Sequence, residues 1–236
     1  MASDSHFLDW TNREEHAERM IPLIGKLYRE NSVVTTVYGK PLTKKGAVAL
    51  IKAHKYAQKF DGEQAINMAE SEAILQRMVE LNLAPARVDV GKIVGLARDS
   101  GKSLHDFVDE TLADVTDAPR SVLNQPRDIV LYGFGRIGRL LTRMMVDKVG
   151  SGDKARLRAI VVRPKGGQDL ARRASLLRRD SVHGPFQGSI GLDRENNELI
   201  INGNRVQLLY AQSPDEMDYT AHGIENAIVI DNTGKW

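Results

Sequence analysis

The chain has 236 residues, 42% of them hydrophobic and 27% charged, which is typical of a soluble globular protein with one large or two small domains. The net charge of +2 does not by itself indicate a nucleic-acid or membrane partner, and the absence of cysteine excludes disulfides and thiolate metal sites. There is no apolar stretch of membrane-spanning length and no signal-peptide pattern, so we expect a cytoplasmic protein.

The first half of the chain, to about Val115, shows helical apolar spacing and predicts an all-α domain. A capping box at Thr11–Glu14 predicts the start of the first helix, and Pro22 is expected to kink or restart it. Four more helices are expected, with apolar faces that begin at Ala47, Ile74, Val90 and Leu104. The break at Asp61-Gly62 follows the second helix, and Gly101 ends the fourth.

Residues 116–126 carry two prolines and no sustained period, which predicts a linker between domains at residues 1–120 and 127–236. Beyond it the pattern is that of an α/β domain. The predicted elements are a strand at Ile129–Tyr132, a helix at Arg136–Val149, a strand at Leu157–Val162 stopped by Pro164, a hairpin of Ser189–Leu192 and Leu199–Ile201, and strands at Val206–Tyr210 and Ala227–Asp231.

A glycine-rich turn joins the first of these strands to its helix: Gly133-Phe134-Gly135-Arg136-Ile137-Gly138. In such a turn the first glycine permits a tight bend, the second lets the backbone approach a phosphate, and the third lets the helix pack against the strand. The helix N-terminus then offers unpaired N–H groups to the anion. The motif is weak alone, but the flanking strand and helix make this turn a predicted dinucleotide-binding site.

The second strand indicates which coenzyme this site prefers. Dinucleotide-binding folds often carry an acid at the end of this strand for the adenosine ribose, whereas an arginine there accommodates a 2′-phosphate. Here the strand ends at Arg163 with no acid. The sequence therefore predicts NADP or NAD, with a modest preference for NADP.

Two other patterns are better explained by ordinary structural roles. Basic residues crowd positions 156–179, but no aromatic residues interleave to stack bases, so RNA binding is the disfavoured interpretation. Asp180-Ser181-Val182-His183 contains the residue types of a hydrolase triad, yet adjacency in sequence is no evidence for one, and a backbone-capping loop is favoured. His54 and His105 are interpreted as half-buried helix residues, and no metal ligands are predicted.

Four motifs in order name a family: Tyr132–Arg139, Arg179–Gly184, Leu199–Asn204 and Asn232–Gly234. Over roughly Asp128 to Trp236 the chain resembles the amino-terminal, coenzyme-binding part of a phosphorylating glyceraldehyde-3-phosphate dehydrogenase. The resemblance implies a Rossmann-like fold, incomplete at the C-terminus. The helical half is similar to the extension of a longer bacterial form of this enzyme.

The resemblance also implies roles for individual residues. It places the backbone of Arg136 and Ile137 on the coenzyme pyrophosphate, and it places Thr233 and Gly234 along the coenzyme cleft. Three positions depart from the family pattern: Tyr132 stands in place of an asparagine, Arg163 in place of the ribose-binding acid, and Gln212 in place of an arginine beside the adenine.

The family reaction needs a cysteine thiolate, which this chain lacks, and a histidine that activates it. We therefore expect an inactive N-terminal fragment, without catalytic residues, of a homo-oligomeric NAD(P)-dependent enzyme that oxidises a phosphorylated aldehyde in glycolysis or runs in reverse in gluconeogenesis. The alternatives are an erythrose-4-phosphate dehydrogenase-like enzyme and a non-catalytic nucleotide-binding or assembly module. No membrane partner is expected.

Overall fold

The computed structural model describes residues 2–61, 66–119, 125–148, 155–163, 169–180 and 183–234. The chain divides into two compact units, Met1–Val122 and Leu123–Trp236, and each has its own buried core. The predicted break at Gly62 and the middle of the predicted linker, residues 120–124, lie outside the described residues. Within the described ranges no helix is both long and apolar enough to cross a membrane.

The described residues of the first unit contain five α-helices. They are α1 (Ala2–Asn31), α2 (Ala47–Asp61), α3 (Met68–Glu80), α4 (Val90–Ser100) and α5 (Leu104–Thr111). The four later helices agree with the predicted ones. Ser103 caps the N-terminus of α5 through its hydroxyl, and Gly101 ends α4 in a left-handed conformation, as its position in the sequence predicts.

The prediction of an all-α first domain is wrong, because a small sheet lies among the helices. Its strands are β1 (Val34–Val37), β2 (Lys40–Pro41) and β3 (Arg87–Asp89), and β1 pairs antiparallel with β2 and parallel with β3. The β-branched run Val33–Val37 suits an extended, buried strand better than a loop. The Asp89 carboxylate fixes the hairpin by accepting hydrogen bonds from the backbone N–H groups of Tyr38 and Gly39 at 2.9 and 2.8 Å.

The start and course of α1 also differ from the prediction. The helix begins at Ala2, so Thr11 lies inside it, and its hydroxyl donates to the carbonyl oxygen four residues earlier at 3.0 Å. The helix is assigned without interruption through Pro22, although proline lacks the N–H that the helix would use. Met20 and Leu27, on either side of the proline, are fully buried in the same core. Burial of these side chains therefore outweighs the lost hydrogen bond.

The second unit is an α/β fold with a mixed sheet. Its elements are β4 (Arg127–Tyr132), α6 (Arg136–Asp147), β5 (Ala155–Val162), α7 (Asp169–Arg178), β6 (Ile190–Asp193), β7 (Glu198–Ile201), β8 (Asn204–Tyr210) and β9 (Ile228–Asp231). The strand order is β6-β7-β8-β5-β4-β9, in which β8, β5, β4 and β9 run parallel and β6 and β7 form an antiparallel hairpin. The predicted strands and α6 are confirmed. The predicted boundaries at Val149 and Pro164 lie outside the described residues.

The structure adds α7, a helix that the sequence did not predict. Arginines crowd this segment and obscure an apolar stripe of Leu170, Ala174 and Leu177, which recur at helical spacing and are buried. Arg173 is itself buried, and its Nε donates to Asp169 one turn earlier at 2.8 Å. Part of the arginine-rich stretch is therefore built into the fold rather than exposed as a basic surface.

The two faces of this sheet have separate apolar clusters, because successive strand residues point to opposite sides. Leu131 and Ile160 belong to the cluster that includes residues of α6 and α7. Tyr132 and Val161 belong to the other cluster, with Ile224 from the segment between β8 and β9. The side chain of Tyr132 therefore lies on the face opposite α6.

Candidate functional site

The candidate site lies where the strand order of the second unit reverses. From β4 the chain crosses through α6 to β5 on one side, whereas β9 pairs with β4 on the other side. Parallel α/β sheets bind ligands in the crevice at such a switch point, outside the carboxyl ends of the strands. Two predicted site segments meet there: the glycine turn 133–138 follows β4, and Asn232–Gly234 follows β9.

Gly133 begins the turn in a conformation that favours glycine. Its φ is 102°, and its N–H donates to the carbonyl oxygen of Val161 at 2.8 Å. A Cβ at this position would lie 2.9 Å from Cγ2 of Thr233 and 3.0 Å from Oδ1 of Asn232. The glycine is therefore needed both for the backbone turn and for the close approach of the segment after β9.

The other two glycines of the motif meet different demands. A Cβ on Gly138 would lie 2.5 Å from the carbonyl oxygen of Gly133, so glycine lets the first turn of α6 pack directly on the preceding turn. Gly135 has an ordinary φ of −72°, and nothing lies within 4 Å of a Cβ built there. Open space above Gly135 at the start of a helix is what a phosphate group requires.

The side chains of the turn point in different directions. Phe134 is buried in the core beneath α6, so this residue can offer a ligand only its backbone. Arg136 and Ile137 are exposed in the first turn of α6, and Gly135, as the N-terminal cap, gives no side-chain hydrogen bond to the N–H groups of that turn. The first turn of α6 is thus arranged to bind an anion through its backbone.

Asn232 links the two strand ends and has one unsatisfied acceptor. Its backbone N–H donates to the carbonyl oxygen of Tyr132 at 3.0 Å. Its side-chain Oδ1 is buried and has no hydrogen-bond donor among the described residues, although it lies only 2.6 Å from a Cβ built on Gly138. The sequence motif Asn232–Gly234 included Asn232 without giving it a role, and the structure shows that the glycine turn packs on it. Buried acceptors are nearly always hydrogen-bonded in folded proteins, so an acceptor without a donor beside the glycine turn marks this position for a donor from a ligand or water.

Thr233 and Gly234, predicted to line the cleft, are exposed directly beside the turn. The Thr233 methyl group is the atom that a Cβ on Gly133 would meet, and its backbone N–H donates to the Asp231 carboxylate at 2.8 Å. Gly234 has a φ of 66°, a left-handed value that favours glycine. The structure therefore brings Thr233 next to the predicted phosphate-binding turn.

Arg163 and Gln212 follow β5 and β8, which are neighbouring parallel strands, and both are exposed. Both residues therefore lie at the same edge of the sheet as the glycine turn. At the end of β4, the Tyr132 hydroxyl is buried and has no hydrogen-bond partner among the described residues, so nearby charges change its pKa. Burial raises the pKa of Tyr132, and the positive charge of Arg163 lowers it.

The structure also brings acids to this edge, which the sequence did not predict. Glu216, Asp231 and Asp215 each act on the Tyr132 hydroxyl and raise its pKa. The Glu216 carboxylate accepts a hydrogen bond from the backbone N–H of Gln212 at 3.0 Å, in a single turn of 3-10 helix at Pro214–Glu216. The Pro-Asp-Glu run after β8 was the available signal. The end of β5 therefore carries Arg163 and no acid, but the turn after the neighbouring strand β8 brings Glu216 to the same edge.

The segment after α7 is fixed by Arg143, another residue that the motifs did not single out. Its guanidinium donates to the carbonyl oxygens of Leu177, at 3.1 and 2.6 Å, and of Gly184, at 2.9 Å. Asp180 accepts a hydrogen bond from the backbone N–H of His183 at 2.8 Å, which is the capping loop favoured from the sequence. Ser181 and Val182 lie outside the described residues.

An open groove lies on the outer side of the glycine turn. Its volume is about 520 Å³, and it is lined by Arg136, Arg139, Leu176, Arg179, Asp180 and Pro185. Among the described residues no group of three or more histidine or acidic side chains is placed to hold a metal ion. The site is therefore a backbone cradle with arginines around it, and its chemistry suits a phosphorylated ligand.

Comparison with known proteins also indicates a coenzyme-binding domain. Residues 127–236 match the family described as "Glyceraldehyde 3-phosphate dehydrogenase, NAD binding domain". The chain is 50% identical to a glyceraldehyde-3-phosphate dehydrogenase-like protein of Pseudomonas aeruginosa (strain UCBPP-PA14) over 220 residues, which are 92% of this chain and 48% of that protein.

Two shorter likenesses cover the second unit. The chain is 31% identical over 104 residues to a glyceraldehyde-3-phosphate dehydrogenase of Bacteroides fragilis, and 29% identical over 106 residues to that of Zymomonas mobilis. These alignments cover 44% and 45% of this chain and 28% of each relative. The chain thus spans about half the length of the Pseudomonas relative and less of the other two.

Proposed function

Because residues 127–236 belong to the NAD-binding domain family of glyceraldehyde-3-phosphate dehydrogenases, we propose that this chain binds NAD(P) at the turn Gly133–Gly138. One observation carries the proposal. Gly133 and Gly138 are packed so closely that a Cβ on either would collide with neighbouring atoms, whereas the space above Gly135 is open. The three glycines therefore make a close-packed turn with room for one ligand group at the start of α6.

The residues of the turn divide the binding between them. The backbone N–H groups of Arg136 and Ile137 receive the pyrophosphate, because the first turn of α6 has no side-chain cap. Thr233 and Gly234 border the cleft on the side of β9. The buried Oδ1 of Asn232 is available to accept a hydrogen bond. The coenzyme itself supplies a nicotinamide ring that accepts or donates a hydride.

The coenzyme choice depends on opposed charges at the ends of β5 and β8. Arg163 is exposed and able to pair with the 2′-phosphate of NADP. Asp215 and Glu216 lie in the turn after β8, the parallel neighbour of β5, so their negative charges at the same sheet edge oppose that phosphate. We expect Arg163 to give NADP the advantage, and we expect the advantage to be small because of these acids.

Titration of the whole chain with NADP and NAD, by isothermal calorimetry, tests this balance. Arg163→Ala should weaken NADP binding by roughly tenfold and leave NAD binding nearly unchanged. Glu216→Gln should shift the preference further toward NADP, since it removes a negative charge without changing shape. Equal affinity for both coenzymes in all three proteins would contradict the role of Arg163, while leaving coenzyme binding itself intact.

The parent activity that we propose is oxidation of a phosphorylated aldehyde, or its reverse, in a cytoplasmic homo-oligomer. The support is that the Bacteroides and Zymomonas relatives are glyceraldehyde-3-phosphate dehydrogenases. The 236 residues hold no cysteine, so they lack the thiolate that such a reaction needs. We therefore expect this chain alone to bind coenzyme without turnover, and an assay with glyceraldehyde 3-phosphate or erythrose 4-phosphate should show none.

The absence of cysteine also favours a second candidate, a non-catalytic nucleotide-binding module. The two candidates differ in what restores activity. If the chain belongs to a dehydrogenase, a cysteine-bearing carboxyl-terminal segment of a relative should complement it and give NAD(P) reduction. A binding module would keep its coenzyme affinity and remain inactive in the same mixture.

A further inference from the structure

The first unit has a strongly uneven distribution of charge. Between Asn31 and Phe60 there are six lysines and no aspartate or glutamate. Lys52 and Lys59 lie on α2 seven residues apart, so they share one face of the helix, and both are exposed. Lys40 is exposed on β2. A cationic surface therefore lies on this part of the unit.

Aromatic rings lie within the same surface. The rings of Tyr38 and Phe60 are stacked, with centroids 5.3 Å apart and an angle of 6° between the planes, and Tyr56 meets Phe60 edge-on at 5.3 Å. Phe60 is nonetheless 57% exposed. Lys40 Nζ lies 4.3 Å from the centroid of the Tyr56 ring. Lys59 Nζ lies 5.7 Å from the same centroid, so these two lysines and the rings form one surface.

We call this feature the lysine–aromatic face and define it by Lys40, Lys52, Lys59, Tyr38, Tyr56 and Phe60. The Asp89 carboxylate accepts hydrogen bonds from the backbone N–H groups of Tyr38, Gly39 and Lys92. These hydrogen bonds lower the pKa of Asp89 against the effect of burial, which raises it. Asp89 is therefore committed to holding the hairpin and does not pair with the lysines of the face.

We propose that the lysine–aromatic face binds single-stranded nucleic acid, with phosphates on the lysines and one base stacked on Phe60. Non-specific single-strand binders combine these two features, a cationic track and exposed aromatic rings. The stack of Tyr38 on Phe60 supports one face of the phenyl ring and favours an unpaired base as the partner over an acidic peptide, which needs no ring. The arginine-rich stretch of the second unit has no such aromatic partner in its sequence.

Fluorescence anisotropy of the whole chain with a labelled oligothymidylate of about a dozen nucleotides tests the proposal. We expect binding that weakens from roughly 50 to 200 mM salt. The double variant Lys52→Glu with Lys59→Glu should weaken binding at least about tenfold and reduce the salt slope by about 1.4, the value for two phosphate contacts on a single strand. Phe60→Leu should weaken binding by roughly tenfold and leave the salt slope unchanged.

The matched control is Lys148→Glu with Arg194→Glu, the same charge change on exposed residues of the second unit. It should bind as the unmodified chain does, and circular dichroism should show that all variants fold. Equal loss in the control, or displacement of the oligonucleotide by NADP, would place binding elsewhere and overturn the proposal. Absence of binding at low salt, equal affinity for duplex DNA, or tighter binding of polyglutamate would also overturn it.

Discussion

At the scale of single residues, the site depends on contacts that only glycine allows. Gly138 packs on the carbonyl group of Gly133, and both lie against Asn232 after β9. These contacts hold two strand ends and one helix start together. Gly135 contributes nothing to this packing, since the space around its missing side chain is open. Gly135 therefore serves ligand binding and not packing, so mutations at Gly135 and Gly138 should separate the two effects.

We predict that alanine destabilises the second unit at Gly138 and has almost no effect on its stability at Gly135. Gly138→Ala puts a Cβ 2.5 Å from a backbone oxygen, so the free energy of unfolding of the second unit should fall by about 2–3 kcal/mol. Gly135→Ala meets no atom and keeps an allowed φ, so unfolding should change by less than about 0.5 kcal/mol. Scanning calorimetry measures both, the second unit being identified by the transition that NADP shifts.

The decisive control is coenzyme affinity in the Gly135→Ala protein. Its added methyl group occupies the space proposed for a phosphate, so affinity should fall at least about tenfold although the fold is intact. Full affinity in a stable Gly135→Ala protein would show that the phosphate binds elsewhere.

The local sequence was sufficient to predict the site residues within the turn. It was insufficient to predict the residues that contact the turn from distant parts of the chain. The glycine spacing fixed the positions of Gly133 and Gly138, because the requirement for glycine is local. Asn232 and Glu216 reach the site only through strand order, which the spacing of residues 133–138 does not encode. A prediction of coenzyme preference from Arg163 at the end of one strand therefore left out the negative charge of Glu216.

At the scale of elements, helices α2 and α3 are joined by a buried histidine. His54 Nδ1 lies 2.8 Å from the carbonyl oxygen of Leu50, so this nitrogen carries the proton, and Nε2 accepts from the Ser71 hydroxyl at 3.0 Å. His54 is 4% exposed. Burial lowers its pKa from the ordinary value of 6.5, and the hydrogen bond to Leu50 raises it only in part. The neutral ring is therefore the form that the fold accepts.

This shift predicts a loss of stability in mild acid. The unfolded chain protonates His54 near pH 6.5, whereas the folded chain does so only at lower pH, so the unfolded state binds more protons in that interval. The contribution of neutral His54 to stability is therefore complete above pH 6.5. As the pH falls below 6.5, the free energy of unfolding decreases by up to about 1.4 kcal/mol per pH unit. Urea unfolding at pH 7.5 and 5.5 measures it, through Trp10 in a Trp236→Phe background.

His54→Gln should remove this part of the pH dependence, whatever its effect on stability at neutral pH. His105→Gln is the matched control, since His105 is exposed on α5. An unchanged difference between the two pH values in the His54→Gln protein would mean that His54 does not carry the effect.

Elements with signals in their own sequence were predicted, and elements that depend on distant pairing were not. Helices α3, α4 and α5 have caps and apolar stripes within their own sequence, so local reasoning found them. The pairing of β1 with β3 joins residues more than fifty positions apart, and β3 has only three residues. No local pattern carries that information, and the five β-branched residues of Val33–Val37 were the one signal available.

At the scale of the whole molecule, the chain combines two units with different surfaces and separate cores. The family match covers residues 127–236, whereas the likeness to the Pseudomonas protein covers 92% of the chain. The first unit is therefore shared with that relative and lies outside the matched domain. We propose coenzyme binding for the second unit and nucleic-acid binding for the first.

Hydrogen exchange with and without saturating NADP tests whether the coenzyme binds at the glycine turn, because it locates the ligand within the whole chain. With coenzyme at about a hundred times its dissociation constant, exchange should slow by up to roughly 100-fold in amides of the glycine turn and of Thr233–Gly234. Residues 2–119 should exchange at unchanged rates. Absence of protection in the turn, or protection confined to the first unit, would contradict the assignment of the coenzyme site.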